Sequence, residues 1–128
     1  MILNNKIKIF LALASFMMAL AISLGAFGAH GLKSILDEYM LKIYHTGVEY
    51  HFYNTFGLFI ATFLYALKPN SKKIYIAIWL IIIGMCIFSF SLYFLSILSM
   101  PILGAITPIG GSSLIIAWLT LTYGILKD

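Results

Sequence analysis

Apolar residues in this chain come in long unbroken runs, not in the alternation of a half-buried strand or the narrow stripe of a soluble amphipathic helix. Four runs stand out, at about 7–28, 47–67, 74–98 and 108–126. A bilayer core about 30 Å thick needs roughly 20 apolar residues in a helix, and each run is of that order. Each is expected to be helical, because an open strand in lipid leaves backbone polar groups unpaired.

Polar punctuation separates the runs. "KPNSKK", 68–73, combines proline, turn residues and three lysines and reads as a loop. "SMP", 99–101, closes the third run. In "TPIGG", 107–111, Thr107 is placed to cap a helix and Pro108 fits a first helical position, where its missing N–H costs nothing. Between the first two runs, apolar residues at 32, 35, 36, 39, 40 and 43 form a helical stripe, with Asp37, Glu38 and Lys42 largely off it. That segment, 32–45, is expected to be a short amphipathic helix lying at the interface. The fold class that follows is all-α: an integral membrane four-helix bundle with this interfacial helix between spans one and two, forming a single transmembrane domain over 1–128.

Composition strengthens the membrane assignment. Of 128 residues, 62% are hydrophobic and only 9% charged, against roughly a quarter charged in soluble domains. The net charge of +4 comes from lysines at the chain ends and in one loop, not from the clustered basic face of a nucleic-acid binder. An even number of spans gathers Lys6, Lys8, Lys68, Lys72, Lys73 and Lys127 on one side and leaves only Lys33 and Lys42 on the other. The positive-inside rule then puts both termini in the cytoplasm. The first run, from Ile9 to Phe27, exceeds the 7–15 residues usual for a signal-peptide core and reads as an uncleaved span. Cys86 is the sole cysteine and reads as a small buried hydrophobe.

Topology places polar side chains from all four spans in the outer leaflet. The candidate binding cluster is His30, His45, Glu49, Tyr50, His51, Tyr53, Asn54, Ser89, Ser91 and Thr107. Glu49 draws attention first, since a carboxylate within a span carries an insertion penalty; His45 and Tyr53 lie four residues either side, on its face. It is either paired in the bundle or touching water at the interface. His30 either donates to a ligand, pairs with Glu49 across the helix interface, or caps the exit of the first span while Gly28 and Gly31 bend the backbone. His45 and His51 are six apart, about 120° around a helix, which is not the i, i+4 spacing of a metal pair. No metal or cofactor is expected. Ser89 and Ser91 lack a nucleophile-elbow context, and no catalytic residue is assigned. Ala21, Gly25 and Ala29 recur every four residues and suit close helix approach, as do Gly110 and Gly111. Tyr44, Tyr50, Tyr53 and Tyr93 suit an outer aromatic belt, and Tyr65, Tyr75 and Tyr123 an inner one.

The motifs "GAFGAHGL" at 25–32, "TGVEY" at 46–50, "FSFSLY" at 88–93 and "TPIGG" at 107–111 resemble those of uncharacterised protein family 0382, also called domain of unknown function 423. The resemblance implies a four-span protein of the bacterial plasma membrane and no particular activity. The chain departs from that pattern at His51, where relatives usually carry glutamine, at Asn54, where they usually carry histidine, and at Phe90, where many carry glycine. His51 lies three residues from position 54, about 60° around the helix.

The expected role is a scaffold or accessory protein, more readily than an enzyme, because no complete catalytic constellation is present. Its partners are the lipid bilayer and either further copies of itself or another membrane protein. The alternatives are a subunit of an oligomeric transporter or channel, or a protein that binds or modifies lipid from the outer leaflet.

Overall fold

A computed structural model describes residues 3–128. Four α-helices account for most of them: α1 (Asn5–His30), α2 (Glu38–Leu67), α3 (Lys72–Leu98) and α4 (Thr107–Lys127), with a short 3-10 helix, Pro101–Ala105, before α4. Lengths of 21 to 30 residues correspond to about 31–45 Å at 1.5 Å per residue.

Side chains that offer an oxygen to unpaired N–H groups set three of the starts. Asn4 accepts from Ile7 N at 3.0 Å, Asp37 from Met40 N at 2.7 Å and Ser71 from Ile74 N at 3.2 Å. Thr107 does not cap α4. It is the first helical residue, no side chain caps that end, and a proline stands in the first turn. The separate interfacial helix is not formed: residues 31–36 are turns and a bend, while 38–45 are the opening turns of α2. The Asp37 cap starts α2 within the apolar stripe, and nothing breaks the helix before Leu67.

The hydropathy pattern assigns four spans, but among the described residues three segments are long and apolar enough to cross a membrane: Asn5–His30, Lys72–Leu98 and Pro101–Lys127. α2 is the exception despite its length. It carries His51, Asn54, Thr55 and Thr62, all turned inward and buried. α3 packs against both α2 and α4, and α1 packs mainly on α2. One apolar core draws on all four helices, with Phe10, Met17, Leu58, Ile78, Met85 and Leu114 among its members.

Close approach fixes the α3–α4 crossing. A Cβ on Gly110 would lie 2.5 Å from Phe88 N and 3.0 Å from Gly84 O, so no larger residue fits without separating the helices. Gly111 is in ordinary contact only. On α1, Ala21 is buried but Ala29 is exposed; the tight contact falls on Gly28, where a Cβ would sit 2.4 Å from the Tyr44 ring. No glycine among the described residues has a positive φ, so Gly28 and Gly31 do not bend the exit of α1. Gly28 instead leaves room for an aromatic ring.

The lysine-rich segments meet at one end. Lys73 Nζ lies 2.9 Å from Asp128 Oδ1, Ser71 donates to the other oxygen of the same carboxylate, and Lys68 Nζ donates to Ile125 O at 3.0 Å. The 68–71 loop thereby covers carbonyls at the C-terminal end of α4 that have no helical partner. Lys6, at the start of α1, stands over the Tyr75 ring near the start of α3.

Candidate functional site

The buried face of α2 repeats small and polar residues at helical spacing: Tyr44, Gly47, His51 and Thr55. Residues three and four apart stack on one helix face, so the four form a seam against α1 and α3. Tyr44, fully buried, donates its hydroxyl to Leu24 O on α1 and packs against the Tyr93 ring at 5.2 Å. Gly47 brings α2 onto α3; a Cβ there would lie 3.0 Å from Tyr93 Cε1 and 3.2 Å from Ser89 O. His51, with no exposed surface, has Nδ1 2.8 Å from the Tyr93 hydroxyl and an edge-on contact with Phe90. Thr55 donates to His51 O at 2.7 Å and approaches Met85 Sδ at 3.5 Å.

Among the described residues, His51 Nε2 and Ser89 Oγ on this seam, and Thr62 Oγ1 further along α2, are buried without a partner. In either tautomer one ring nitrogen binds Tyr93 and the other is left over. Burying such a group costs about 1–3 kcal/mol.

Two further polar joints lie nearby. Ser91 Oγ is 2.6 Å from Thr107 Oγ1, and the Thr107 hydroxyl also reaches Leu103 O at 3.2 Å, tying α3 to the start of α4. Trp118 Nε1 donates to Asn54 Oδ1 at 3.2 Å, while Asn54 Nδ2 donates to Tyr50 O at 2.9 Å. His51 and Asn54 therefore serve different neighbours, α3 for the first and α4 for the second. The histidine here does not occupy the environment of position 54. Beside Trp118 an open groove of about 620 Å³ runs between α2, α3 and α4, lined by Tyr50, Tyr53, Asn54, Phe88 and Leu114 among others.

The structure divides the predicted cluster. His51, Asn54, Ser91 and Thr107 join helices, and Ser89 is buried with its hydroxyl unpaired among the described residues. His30, His45, Glu49, Tyr50 and Tyr53 are exposed. The Lys73–Asp128 pair is the one ion pair among the described residues, so the expected bridge between His30 and Glu49 is not formed. Tyr50 and Tyr53 stack edge to face at 5.7 Å, and Tyr50 lies on Phe88 at 4.8 Å. Tyr44 and Tyr93, read from sequence as belt residues, are buried hubs, and so is Tyr65. Their periodicity carried the signal: Tyr44 with Gly47 and His51, and Ser89 with Tyr93, repeat at three or four residues. Trp118 lay outside any motif and offered none.

Such helices, held together by side-chain hydrogen bonds and glycine contacts, define a small helical membrane protein. The model of the family described as "Protein of unknown function (DUF423)" matches residues 24–111, and the chain belongs to that family. It is 42% identical over 120 residues to the UPF0382 membrane protein YwdK of Bacillus subtilis, covering 94% of this chain and 98% of that one. Identity is 39% to a UPF0382 membrane protein of Staphylococcus epidermidis, over 94% of this chain and 97% of the relative. It is 38% to one of Haemophilus influenzae, over 98% of each. No solved structure matches. The matched span opens at Leu24, the acceptor for Tyr44, and ends at Gly111, beside the α3–α4 crossing.

Proposed function

We propose that this chain is a four-span integral protein of the bacterial plasma membrane, one transmembrane domain with both termini in the cytoplasm, acting as a scaffold or accessory to another membrane protein or to further copies of itself. Four spans follow if α2 crosses with its polar face sheltered by α1 and α3, as its buried His51 and Thr55 allow. Gathering of the lysine-bearing segments at one end supports the orientation.

One observation carries the accessory role. Glu49 is exposed and without an ion-pair partner among the described residues, yet it does not stand at a helix tip. Its neighbour Val48 meets Gly25 on α1, five residues before the end of that helix, or about 7.5 Å inward at 1.5 Å per residue. A carboxylate at that depth, flanked by His45 and Tyr53 on the same open face, is suited to a polar group on a neighbouring helix. Acid–base chemistry at Glu49 has less support: the polar groups that share its open pocket, His45, Lys42 and Thr46 among them, all come from its own helix.

The test uses the full chain in its native membrane. Photo-crosslinkers replacing Glu49 and Tyr53 are expected to give a discrete protein adduct, and one replacing Phe16, exposed on α1, is not. A reporter fused at the C-terminus is expected to be active only in the cytoplasm. Ion flux in proteoliposomes that vanishes in E49Q would replace this reading with the transport alternative. The groove beside Trp118 favours lipid binding as the second reading, and adducts to lipid alone from a photo-crosslinker replacing Ile115, which lines that groove, would support it.

A further inference from the structure

At the lysine-rich end, the start of α1, the 69–71 loop and the start of α3 enclose a small cleft of about 140 Å³. Its walls include Lys6, Tyr65, Asn70, Lys72 and Tyr75, and no carboxylate lines it. Nearby lysines are already committed: Lys73 is paired with Asp128, and Lys68 donates to Ile125 O. Lys6 and Lys72 have no acidic partner among the described residues. Lys6 Nζ is 5.1 Å above the Tyr75 ring, and that ring is braced by Tyr65 at 5.6 Å and Phe10 at 5.9 Å. Cation–π attraction to a fixed ring holds the ammonium at the cleft mouth.

We propose that this cleft holds the phosphate of an anionic phospholipid headgroup, with Lys6 and Lys72 as its two counter-charges. The inference rests on the reading that the chain spans a membrane. A basic recess between membrane helices, near their ends, is suited to anionic headgroups. The cleft has the space of about five waters at roughly 30 Å³ each, which suits one phosphate and not a nucleotide. Lipid is distinguished from free phosphate by what lies just inward. Ile9 and Ile76, one turn from Lys6 and Lys72 respectively, are both exposed and offer a surface for acyl chains.

The full-length protein in detergent, titrated with phosphatidylglycerol or phosphatidylcholine and read by native mass spectrometry, tests this. Phosphatidylglycerol is expected to be retained preferentially. K6Q/K72Q is expected to weaken its retention about 30-fold, at roughly 1 kcal/mol per lysine, while K6R/K72R keeps most of it. K8Q/K127Q removes equal charge from the same end, outside the cleft, and is expected to change little. Equal retention of the two lipids overturns the proposal. So does an equal fall in both glutamine double variants, or displacement of the lipid by millimolar inorganic phosphate. Release of the protein from membranes by a carbonate wash would defeat the membrane reading instead, and is scored separately.

Discussion

The two faces of α2 carry similar residues and behave differently. One presents Tyr44, His51 and Thr55 to the interior, each hydrogen-bonded to a neighbour. The other presents His45, Glu49 and Tyr53 to the surroundings, all exposed. Each face has a histidine and a tyrosine. The difference is register: a step of two residues turns a side chain about 200° on a helix. The interior face is a joint whose polar groups are largely used up in holding helices, whereas the exterior face keeps its polar groups free. If the protein has a partner, chemistry available to it lies on the second face, and the buried histidine is the wrong place to look.

Loading each face with bulk gives the largest expected contrast. In G47L the new side chain must push against Ser89 O and the Tyr93 ring, and backbone cannot yield without parting α2 from α3. A loss of about 3 kcal/mol or more is expected, at the upper end for overpacking, read as a lower melting temperature in detergent. E49L, two residues on, is expected to stay within about 0.5 kcal/mol. Similar losses in both would erase the distinction between the faces.

The histidines sharpen it. H51L strands the Tyr93 hydroxyl in the interior and is expected to cost about 1–3 kcal/mol, whereas H45L is expected to be nearly silent. H51Q, which retains a polar group within reach of Tyr93, is expected to cost less than H51L. A cycle with Y93F should give a coupling of about 0.6 kcal/mol, and at most about 1.7, the mean and maximum for hydrogen bonds between membrane helices; zero coupling would mean the two rings are merely adjacent. W118F removes the donor to Asn54 Oδ1 and is expected to cost about 1 kcal/mol, since one edge of that contact opens into the groove.

Sequence reading reached the helices more readily than their faces. Long apolar runs mark α1, α3 and α4 because lipid-facing helices need no alternation. The start of α2 was obscured because its first turns share an apolar stripe with the preceding turn. Membership of the polar set was legible, since position within a span follows from counting along it. Which members meet was not, because pairing depends on rotation of each helix. His30 and Glu49 both belong to the predicted cluster and do not pair; His51 and Tyr93 lie 42 residues apart and do. Tyr44 and Tyr93 were hidden by a rule that sends tyrosines to interfaces, a rule that yields where Gly28 and Gly47 open space for a ring.

The smallest expected effect lies away from both faces, at the loop end, and shows how solvent changes the worth of a polar contact. The Ser71 hydroxyl and then the Lys73 ammonium hold the Asp128 carboxyl below its ordinary value. A carboxyl with a depressed folded-state pKa adds stability that is present above its unfolded value, 3.8, and is lost as pH falls through the folded value. Melting temperature is therefore expected to drop slightly more steeply below about pH 4 in the parent than in D128N, and to be indistinguishable between them in high salt, because exposed ion pairs are weak and screened. Near pH 7, D128N is expected to melt within a few degrees of the parent, far less perturbed than H51L. A D128N loss as large as that of H51L would mean that the loop clamp, and not the buried seam of α2, holds these helices in place.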